Sequence, residues 1–255
     1  MPSREHYKDE AFVVRTHDFG EADRIVVLLT RDHGLVRAVA KGVRRTKSRF
    51  GSRIQRFVQL SMLLYPGRNL ALIAEADTIA YFGAGIIEDY NRYTAGCAAL
   101  DCAAAVVGVA EGEAEIFDEV AQFFQYLQHA ADPVLLLDAL LLRLMRHAGW
   151  APSLFDCANC GDPGPHCAFA PAAGGAVCSQ CRPVGSMKPA PAVLRLMWHM
   201  ANRDLATIAP TASQLGEVFP GGSTALCAEA HRLTRAHLQY HLERNFVSLA
   251  MLSED

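Results

Sequence analysis

The stretch that decides the fold of the N-terminal part is Phe57-Val58-Gln59-Leu60-Ser61-Met62-Leu63-Leu64-Tyr65. Between Val58 and Leu64 every second side chain belongs to one apolar set, which is the period of a β-strand with one face in a core. Similar runs before and after it are separated by turn-forming segments such as Asp32-His33-Gly34 and Pro66-Gly67-Arg68-Asn69. The predicted strands are Ala11–Asp18, Asp23–Thr30, Leu35–Lys41, Phe57–Tyr65 and Leu70–Ala76. Five strands in about 70 residues, mostly without a helical period between them, favour a small closed barrel of the OB type.

Beyond Phe82 the sequence changes to a helical pattern. One amphipathic helix face is formed by Ile116, Val120, Phe123, Phe124 and Leu127. The next helix has recognisable ends, because Asp132 is a capping residue, Pro133 suits a first turn and Gly149 can close a last one. Two more helices are predicted at Ala192–Asn202 and Ser223–Leu249, joined by a stretch rich in proline and glycine. We therefore predict an α+β multidomain protein, with an OB-fold barrel at 1–80, an all-α domain at 81–152 and 186–255, and a cysteine-rich module at 153–185.

The module at 153–185 contains two Cys-x-x-Cys pairs separated by seventeen residues. The four cysteines are Cys157, Cys160, Cys178 and Cys181. Both thiolates of such a pair reach one ion at about 2.3 Å, and two pairs complete a tetrahedron, so we predict one structural Zn²⁺. A redox pair, an iron–sulfur cluster and disulfides remain alternatives, as does a ligand role for His166 or Cys167. Four thiolates leave no open position, which argues against a catalytic zinc.

The formal net charge of −3 conceals an asymmetry along the chain. Residues 1–80 carry 14 basic and 9 acidic side chains, whereas residues 81–255 carry 10 and 18. Nine basic residues but only one acid, Asp32, lie between Arg31 and Arg56. Such a cluster on a mobile loop predicts binding to a nucleic-acid backbone with little sequence preference. The predicted DNA-binding residues are Arg37, Lys41, Arg44, Arg45, Lys47, Arg49, Arg53 and Arg56, with Phe50 and Phe57 as stacking faces.

Other classes of function find little support in the sequence. No export signal or membrane span is evident, because charges interrupt the N-terminal segment and the most apolar run, 133–142, contains Asp138 and is shorter than the roughly 18 residues that a span requires. We therefore expect a cytoplasmic, nucleoid-associated protein. No phosphate-binding loop, His-Glu-x-x-His motif or recognisable Ser-His-Asp set occurs, so we expect neither a nucleotide cofactor nor an enzyme. The helically spaced pairs His237/His241 and Cys227/His231 lack further ligands.

Several segments carry a family resemblance. The most specific are Gly20-Glu21-Ala22-Asp23-Arg24-Ile25-Val26-Val27-Leu28-Leu29-Thr30 and His33-Gly34-Leu35-Val36-Arg37-Ala38-Val39-Ala40-Lys41-Gly42-Val43-Arg44-Arg45, followed by Ser48-Arg49-Phe50. Further segments are Gly67-Arg68-Asn69-Leu70, the helix end His147-Ala148-Gly149-Trp150 and the two cysteine pairs. Together they strongly resemble the bacterial RecO family over most of the chain. Arg56 departs from this pattern, since the family is expected to have a proline before Phe57.

The resemblance implies an OB fold, a helical domain, a zinc module and a role as recombination mediator in DNA repair. Its implied activities are binding single- and double-stranded DNA, annealing complementary strands and, with RecR, helping RecA replace single-strand-binding protein (SSB). RecF and RecA are implied as indirect partners. The helical domain is implied to bind the acidic, apolar C-terminal tail of SSB, for which Arg143 and Arg146 are candidates. Since some relatives lack the cysteines, the resemblance implies a structural zinc.

Two alternatives remain open at this point. The first is a zinc-dependent nuclease or hydrolase, which would lose activity on metal removal while keeping its fold. The second is a protein-interaction scaffold, in which the basic loop docks an acidic protein and makes no direct contact with DNA. Changing Arg44, Arg45 and Lys47 to alanine distinguishes this scaffold from a DNA-binding protein.

Overall fold

A computed structural model describes residues 5–48, 50, 53–108 and 113–252, without the side chain of Glu113. The chain divides after His129 into two compact units. Within the described ranges, the first contains the five long strands and two α-helices, and the second contains five α-helices and the cysteine-rich module. Among the described helices, none combines the length and the apolar character that crossing a membrane requires.

The five long strands close into one barrel. They are β1 (Tyr7–Phe19), β2 (Asp23–Thr30), β3 (Leu35–Ala40), β4 (Val58–Tyr65) and β5 (Ala71–Tyr81). Their order around the barrel is β1-β2-β3-β5-β4, and every pairing is antiparallel except that of β3 with β5. The predicted five-stranded, OB-like barrel is confirmed. β1 begins earlier and β5 ends later than predicted, because their polar ends still pair with β4, as Tyr7 does with Leu64 and Tyr81 with Val58.

The alternation along β4 is what fills the barrel. Val58, Leu60, Met62 and Leu64 are all at most 2% exposed, whereas the residues between them are half-buried. They pack against inward-facing residues of the other strands, including Ala11 and Val13 of β1 and Val26 and Leu28 of β2. Apolar side chains at every second position therefore form a closed core inside the barrel.

A second apolar core lies outside the barrel. It involves α1 (Tyr90–Val107) and α2 (Glu113–Leu127). Phe12, which alternates with the inward-facing Ala11 and Val13, has its ring centroid 5.0 Å from Phe117 and 5.2 Å from Phe124 of α2. Residues 11–14 of β1 are thus buried on both faces, so the sequence lacks a clean alternation there.

The second unit is built on five helices. They are α3 (Pro133–His147), α4 (Pro191–Asn202), α5 (Ile208–Gly216), α6 (Gly222–Leu242) and α7 (Val247–Ala250). The predicted ends of α3 are confirmed: the Asp132 carboxylate accepts from the N–H of Leu135 at 2.9 Å, and Gly149 adopts φ +76 with its N–H donating to the Arg146 carbonyl. These contacts satisfy backbone groups that a helix leaves unpaired at its ends.

Two sequence predictions about the last third of the chain are wrong. The stretch predicted as a connection before Ser223 contains the short helix α5, because Pro210 lies in its first turn, where a missing N–H costs nothing. The helix predicted to run to Leu249 ends at Leu242, where Glu243 adopts φ +49, and a separate helix α7 follows. A left-handed residue other than glycine leaves no recognisable stop signal in the sequence.

The cysteine-rich module, predicted at 153–185, contains a two-stranded ribbon. Its strands β6 (Phe169–Ala170) and β7 (Gly175–Ala176) pair antiparallel. Ser153 holds the ribbon from one side, since its N–H donates to Gly174 and its carbonyl accepts from Ala176. Gly175 is required there, because a Cβ on it would lie 2.4 Å from the Ser153 carbonyl oxygen.

Candidate nucleic-acid interface and metal centre

The basic loop, residues 41–57, begins at a glycine turn that is fixed against the first hairpin. Gly42 adopts a left-handed backbone with φ +66, which only glycine adopts without cost. Its N–H donates to the Asp23 carboxylate at 2.7 Å, and the N–H of Arg44 donates to the Ala22 carbonyl at 3.0 Å. The first residues of the loop are therefore held beside the turn between β1 and β2.

Four of the predicted DNA-binding cations are exposed and have no acidic partner within the described ranges. They are Arg37, Lys41, Arg45 and Lys47. Arg37 lies on β3, and the other three lie in the first part of the basic loop. Uncompensated cations on one strand and the loop that continues it can contact successive phosphates. Arg49, also predicted to bind DNA, lies outside the described residues.

Arg44 shares one carboxylate with a cation that sequence reasoning missed. Asp18 pairs with Arg44 at 3.4 Å and with Arg24 at 2.9 Å. The hydrogen bond from Arg24 and the charges of both arginines hold the pKa of Asp18 below its usual range. One carboxylate between two guanidinium groups leaves a local positive excess. Only the pairing of β1 with β2 reveals that Arg24 belongs to this group, because the register places Arg24 opposite Asp18 in the first hairpin.

The last two predicted contacts are partly engaged within the protein. The Arg53 guanidinium donates to the Ala76 carbonyl at 3.1 Å and lies 3.4 Å from the Asp77 carboxylate. Arg56 donates to the carbonyl of Val14 at 3.1 Å and to the thiol sulfur of Cys97 at 3.2 Å. Arg56 therefore has a structural role, which the exposed loop cations lack, while its charge remains without an acidic partner among the described residues.

The prediction that Phe50 and Phe57 offer stacking faces to DNA is wrong. Phe50 is 2% exposed and belongs to the core inside the barrel. Phe57 is 1% exposed, and its ring makes edge contacts with Tyr93 and Phe124. A phenylalanine beside arginines in the sequence can pack in the core or stack on a nucleic-acid base. Burial of its ring in the core is favourable by about 2 kcal/mol or more. Only the tertiary structure decides between these two uses.

The four predicted ligand cysteines come together in one cluster. The sulfurs of Cys157, Cys160, Cys178 and Cys181 all lie within 4.8 Å of one another. The Cys160 and Cys178 sulfurs are 3.8 Å apart. A tetrahedron with Zn–S distances of about 2.3 Å has sulfurs about 3.8 Å apart, so the cluster fits this ion without rearrangement of that pair.

Each cysteine pair is shaped by a tight backbone turn. The N–H of Gly161 donates to the carbonyl of Cys157 at 2.8 Å, and the N–H of Arg182 donates to the carbonyl of Cys178 at 3.1 Å. The two turns also meet directly, because the N–H of Cys178 lies 3.4 Å from the Cys157 sulfur. Backbone donors of this kind favour thiolate sulfur and so favour metal binding.

The charges of these thiols depend on one another. Hydrogen bonds from backbone N–H groups, first that of Cys178, lower the pKa of Cys157 to about 6. At Cys160 the N–H of Asp162 also acts to lower the pKa, but hydrogen bonds with the neighbouring thiols outweigh it and raise the pKa to about 12. Thiolates this close repel each other unless a cation lies between them. A divalent metal ion therefore suits this donor set.

The other candidate ligands do not join this cluster. The His166 ring bonds the Asp162 carbonyl at 2.9 Å, and Cys167 is exposed. His231 contacts the buried Asp138 carboxylate at 2.9 Å, and His237 contacts the carbonyl of Trp150 at 2.9 Å. In the parts of the chain that the structure describes, the four cysteines are the one group of three or more metal-ligating side chains that meets the distance requirement.

The two arginines suggested for the SSB tail are engaged at a helix end. Arg143 is 8% exposed and donates to the carbonyls of Met200 and Arg203. Arg146 is exposed and donates to the carbonyl of Ala201 at 3.1 Å. Both satisfy carbonyls at the C-terminus of α4, where positive charge is favourable. Of the two, only Arg146 offers an accessible charge.

Comparison with protein families gives two matches along the chain. Residues 3–82 match the family described as Recombination protein O N terminal. Residues 87–250 match the family described as Recombination protein O C terminal. The first match covers the barrel, and the second covers the helices and the cysteine-rich module. Since the two matches together cover most of the chain, the chain belongs to the RecO family of recombination proteins.

Proposed function

We propose that the protein is a non-enzymatic recombination mediator that acts in DNA repair by binding DNA and annealing complementary strands. In this role it binds single- and double-stranded DNA, and with RecR it helps load RecA onto SSB-coated DNA, with RecF as an indirect partner. The family supports a role in DNA recombination. The particular partners and the annealing step are part of the proposal, as is contact with the SSB tail through the accessible Arg146.

The observation that carries the proposal is a group of exposed cations on β3 and the basic loop that have no acidic partner among the described residues. They are Arg37, Lys41, Arg45 and Lys47. Two strands of DNA repel each other through their phosphates. Cations that contact both backbones lower this repulsion and release condensed counterions, which favours a complex holding two strands. Because such contacts read no base edges, annealing is expected with little sequence preference.

The proposed metal is one structural Zn²⁺ held by Cys157, Cys160, Cys178 and Cys181. When bound, the ion balances the charge of the four thiolates and ties the two cysteine turns together. The residues themselves fix the ribbon through Ser153 and Gly175 and direct backbone N–H groups toward sulfur. With all four positions taken by thiolates, this site would stabilise the module and leave no position for a reacting water.

The test is annealing of SSB-coated complementary oligonucleotides, followed by energy transfer between dyes on the two strands. We expect the wild-type protein to accelerate annealing and the triple variant Arg44→Ala, Arg45→Ala, Lys47→Ala to do so about tenfold less at near-physiological salt, because three phosphate contacts are lost. Arg45 and Lys47 have no acidic partner among the described residues, and Arg44 pairs with Asp18, which it shares with Arg24.

A matched control removes three positive charges from the other unit. Lys188, Arg195 and Arg232 are all exposed and lie far along the chain from the basic loop. Changing these three to alanine is expected to leave annealing unchanged. Undiminished annealing by the loop variant would contradict the proposal and favour the scaffold alternative, whereas shortened oligonucleotides would favour a hydrolase.

A further inference from the structure

A cavity of about 590 Å³ opens on the surface of the first unit. Its walls come from the second half of β1, the end of the basic loop and the beginning of α1. This volume lies within the range of roughly 300–1,000 Å³ that is typical of sites for small molecules. The cavity therefore has room for a ligand the size of one nucleotide.

The charged residues that line the cavity are cationic. Arg15, Arg24 and Arg56 line it, together with His17, and none of the described residues that line it is acidic. Arg15 is paired with Asp101 at 2.8 Å, and Arg24 with Asp18, so these two charges are partly balanced from outside the cavity. The cavity is thus suited to an anion.

Arg56 is the cation whose charge is least compensated. Its hydrogen bonds go to the carbonyl of Val14 and the sulfur of Cys97, and both partners are neutral. Burial raises the pKa of the Cys97 thiol, although the charge of Arg56 opposes this, so the sulfur stays protonated. The guanidinium is therefore held in place by groups that leave its charge available to a ligand.

The cavity also has apolar and aromatic lining residues. Ile54, Ile87 and Tyr93 contribute to it, and Tyr93 is 40% exposed. The Tyr93 ring meets the buried Phe57 ring edge-on, at a centroid distance of 5.5 Å and an interplanar angle of 80°. The exposed Tyr93 ring thus packs against the buried Phe57 ring, and this contact makes the Tyr93 ring a rigid surface for stacking.

The backbone at Phe57 is unusual in the way that binding sites often are. Phe57 adopts φ +63, a left-handed conformation that costs a bulky residue energy. The conformation accompanies the burial of the Phe57 ring against Tyr93 and Phe124. Strain of this kind persists where the surrounding packing enforces it, and here it lies in the wall of the cavity.

The cavity is continuous with the proposed DNA interface. Arg24, which lines the cavity, shares Asp18 with Arg44 of the basic loop, and Arg56 near the end of that loop also lines the cavity. A phosphate chain that follows the loop cations would thus reach the cavity at Arg24. This continuity favours nucleic acid over an acidic peptide as the ligand.

We propose that this cavity takes one unpaired nucleotide of single-stranded DNA, with its base against Tyr93 and its phosphate at Arg56. The inference rests on the proposed DNA binding and adds a strand preference to it. A base inside a duplex is stacked and paired, so entering the cavity would require unpairing at a cost of a few kcal/mol. Single strands should therefore bind more tightly than duplex of equal length.

The test compares two single strands of about 20 units, one of thymidine nucleotides and one of abasic sugar phosphates with the same charge. Wild-type protein is expected to bind the thymidine strand at least about fivefold more tightly, which is the lower end of what base–aromatic stacking contributes. Tyr93→Leu should lose most of this preference while keeping its affinity for the abasic strand. Tyr93→Phe, which keeps the ring, should retain it.

The matched control is Tyr90→Leu, because Tyr90 is 60% exposed, lies one turn earlier on α1 and does not line the cavity. Thermal unfolding of each variant checks that the fold is intact. Unchanged preference in Tyr93→Leu, or its loss in Tyr93→Phe as well, would overturn the inference while leaving DNA binding standing. Failure of wild-type protein to bind either strand would refute the proposed function itself.

A peptide tests the alternative ligand. If acetyl-Asp-Asp-Leu-Phe bound the wild-type protein but not Tyr93→Leu, and Tyr93→Leu kept the preference for the thymidine strand, the cavity would be a site for a protein partner and the inference would be overturned.

Discussion

Gly96 on α1 is a position where helix propensity and packing oppose each other. In a helix interior, glycine is less favourable than alanine by about 1 kcal/mol. However, a Cβ at Gly96 would lie 2.7 Å from Cε1 of Phe57, whose ring is buried. The glycine allows that ring to enter, and the ring in turn supports Tyr93 at the cavity.

We predict that Gly96→Ala destabilises the first unit. Overpacking typically costs about 1–3 kcal/mol, which exceeds the gain in helix propensity and leaves a net loss of about 1 kcal/mol. Urea unfolding monitored by circular dichroism measures this change. Gly108→Ala is the control, since the nearest atom to a Cβ there is 3.9 Å away, and no loss is expected. A more stable Gly96→Ala protein would show that the Phe57 ring shifts easily, which would contradict a rigid cavity wall.

At the scale of elements, the cysteine-rich module has too little core to fold by itself. Its two strands have two residues each, and its small apolar cluster includes the ligand cysteines Cys157 and Cys178. Loop-rich segments of this size usually depend on a metal or on disulfides. We therefore expect the module to depend on the proposed metal.

We predict that Cys157→Ser abolishes stoichiometric zinc binding and exposes the module to proteolysis between the two cysteine pairs, while the helical circular dichroism signal is largely kept. Cys167→Ser is the matched control, because Cys167 lies in the same module, is exposed and is not in the cluster. Zinc per chain by mass spectrometry and the sites of limited proteolysis are the readouts. Full zinc content in Cys157→Ser would contradict a four-cysteine site.

Across the whole molecule, charge is divided by position. The N-terminal 80 residues have a net charge of +5 and the remainder has −8, which together give the net −3 of the chain. The positive part coincides with the barrel and the basic loop. The total thus excludes a uniformly basic DNA coat, whereas the distribution favours a local interface.

We predict that the affinity for DNA falls with salt concentration by an amount that reflects the number of phosphate contacts. If Arg37, Lys41, Arg44, Arg45 and Lys47 each contact a phosphate of a single strand, log affinity falls with log salt at a slope of about −3.5, since each contact contributes about −0.7. The triple loop variant should lower the slope to about −1.4. Fluorescence anisotropy at several salt concentrations measures both values. A slope near zero in the wild-type protein would be incompatible with binding through phosphates.

Patterns of local origin were predictable from the sequence. Alternation in β4 predicted a buried strand, and the spacing of the four cysteines predicted their cluster, because neighbouring residues along the chain determine both. The helix ends at Asp132 and Gly149 were predictable for the same reason. By contrast, the end of α6 at Glu243 depends on a backbone conformation that no typical residue marks.

What the sequence alone determined about this protein is its barrel, its cysteine cluster and the excess of cations in one loop, all of which follow from short-range patterns. Only the tertiary structure decided which aromatic rings are available to a ligand. Phe50 and Phe57, beside the arginines in sequence, are buried, while Tyr93, distant in sequence, remains exposed at a cationic cavity. The physical reason is that burial depends on which distant side chains pack together, and strand pairing and helix packing bring these together only in the folded chain.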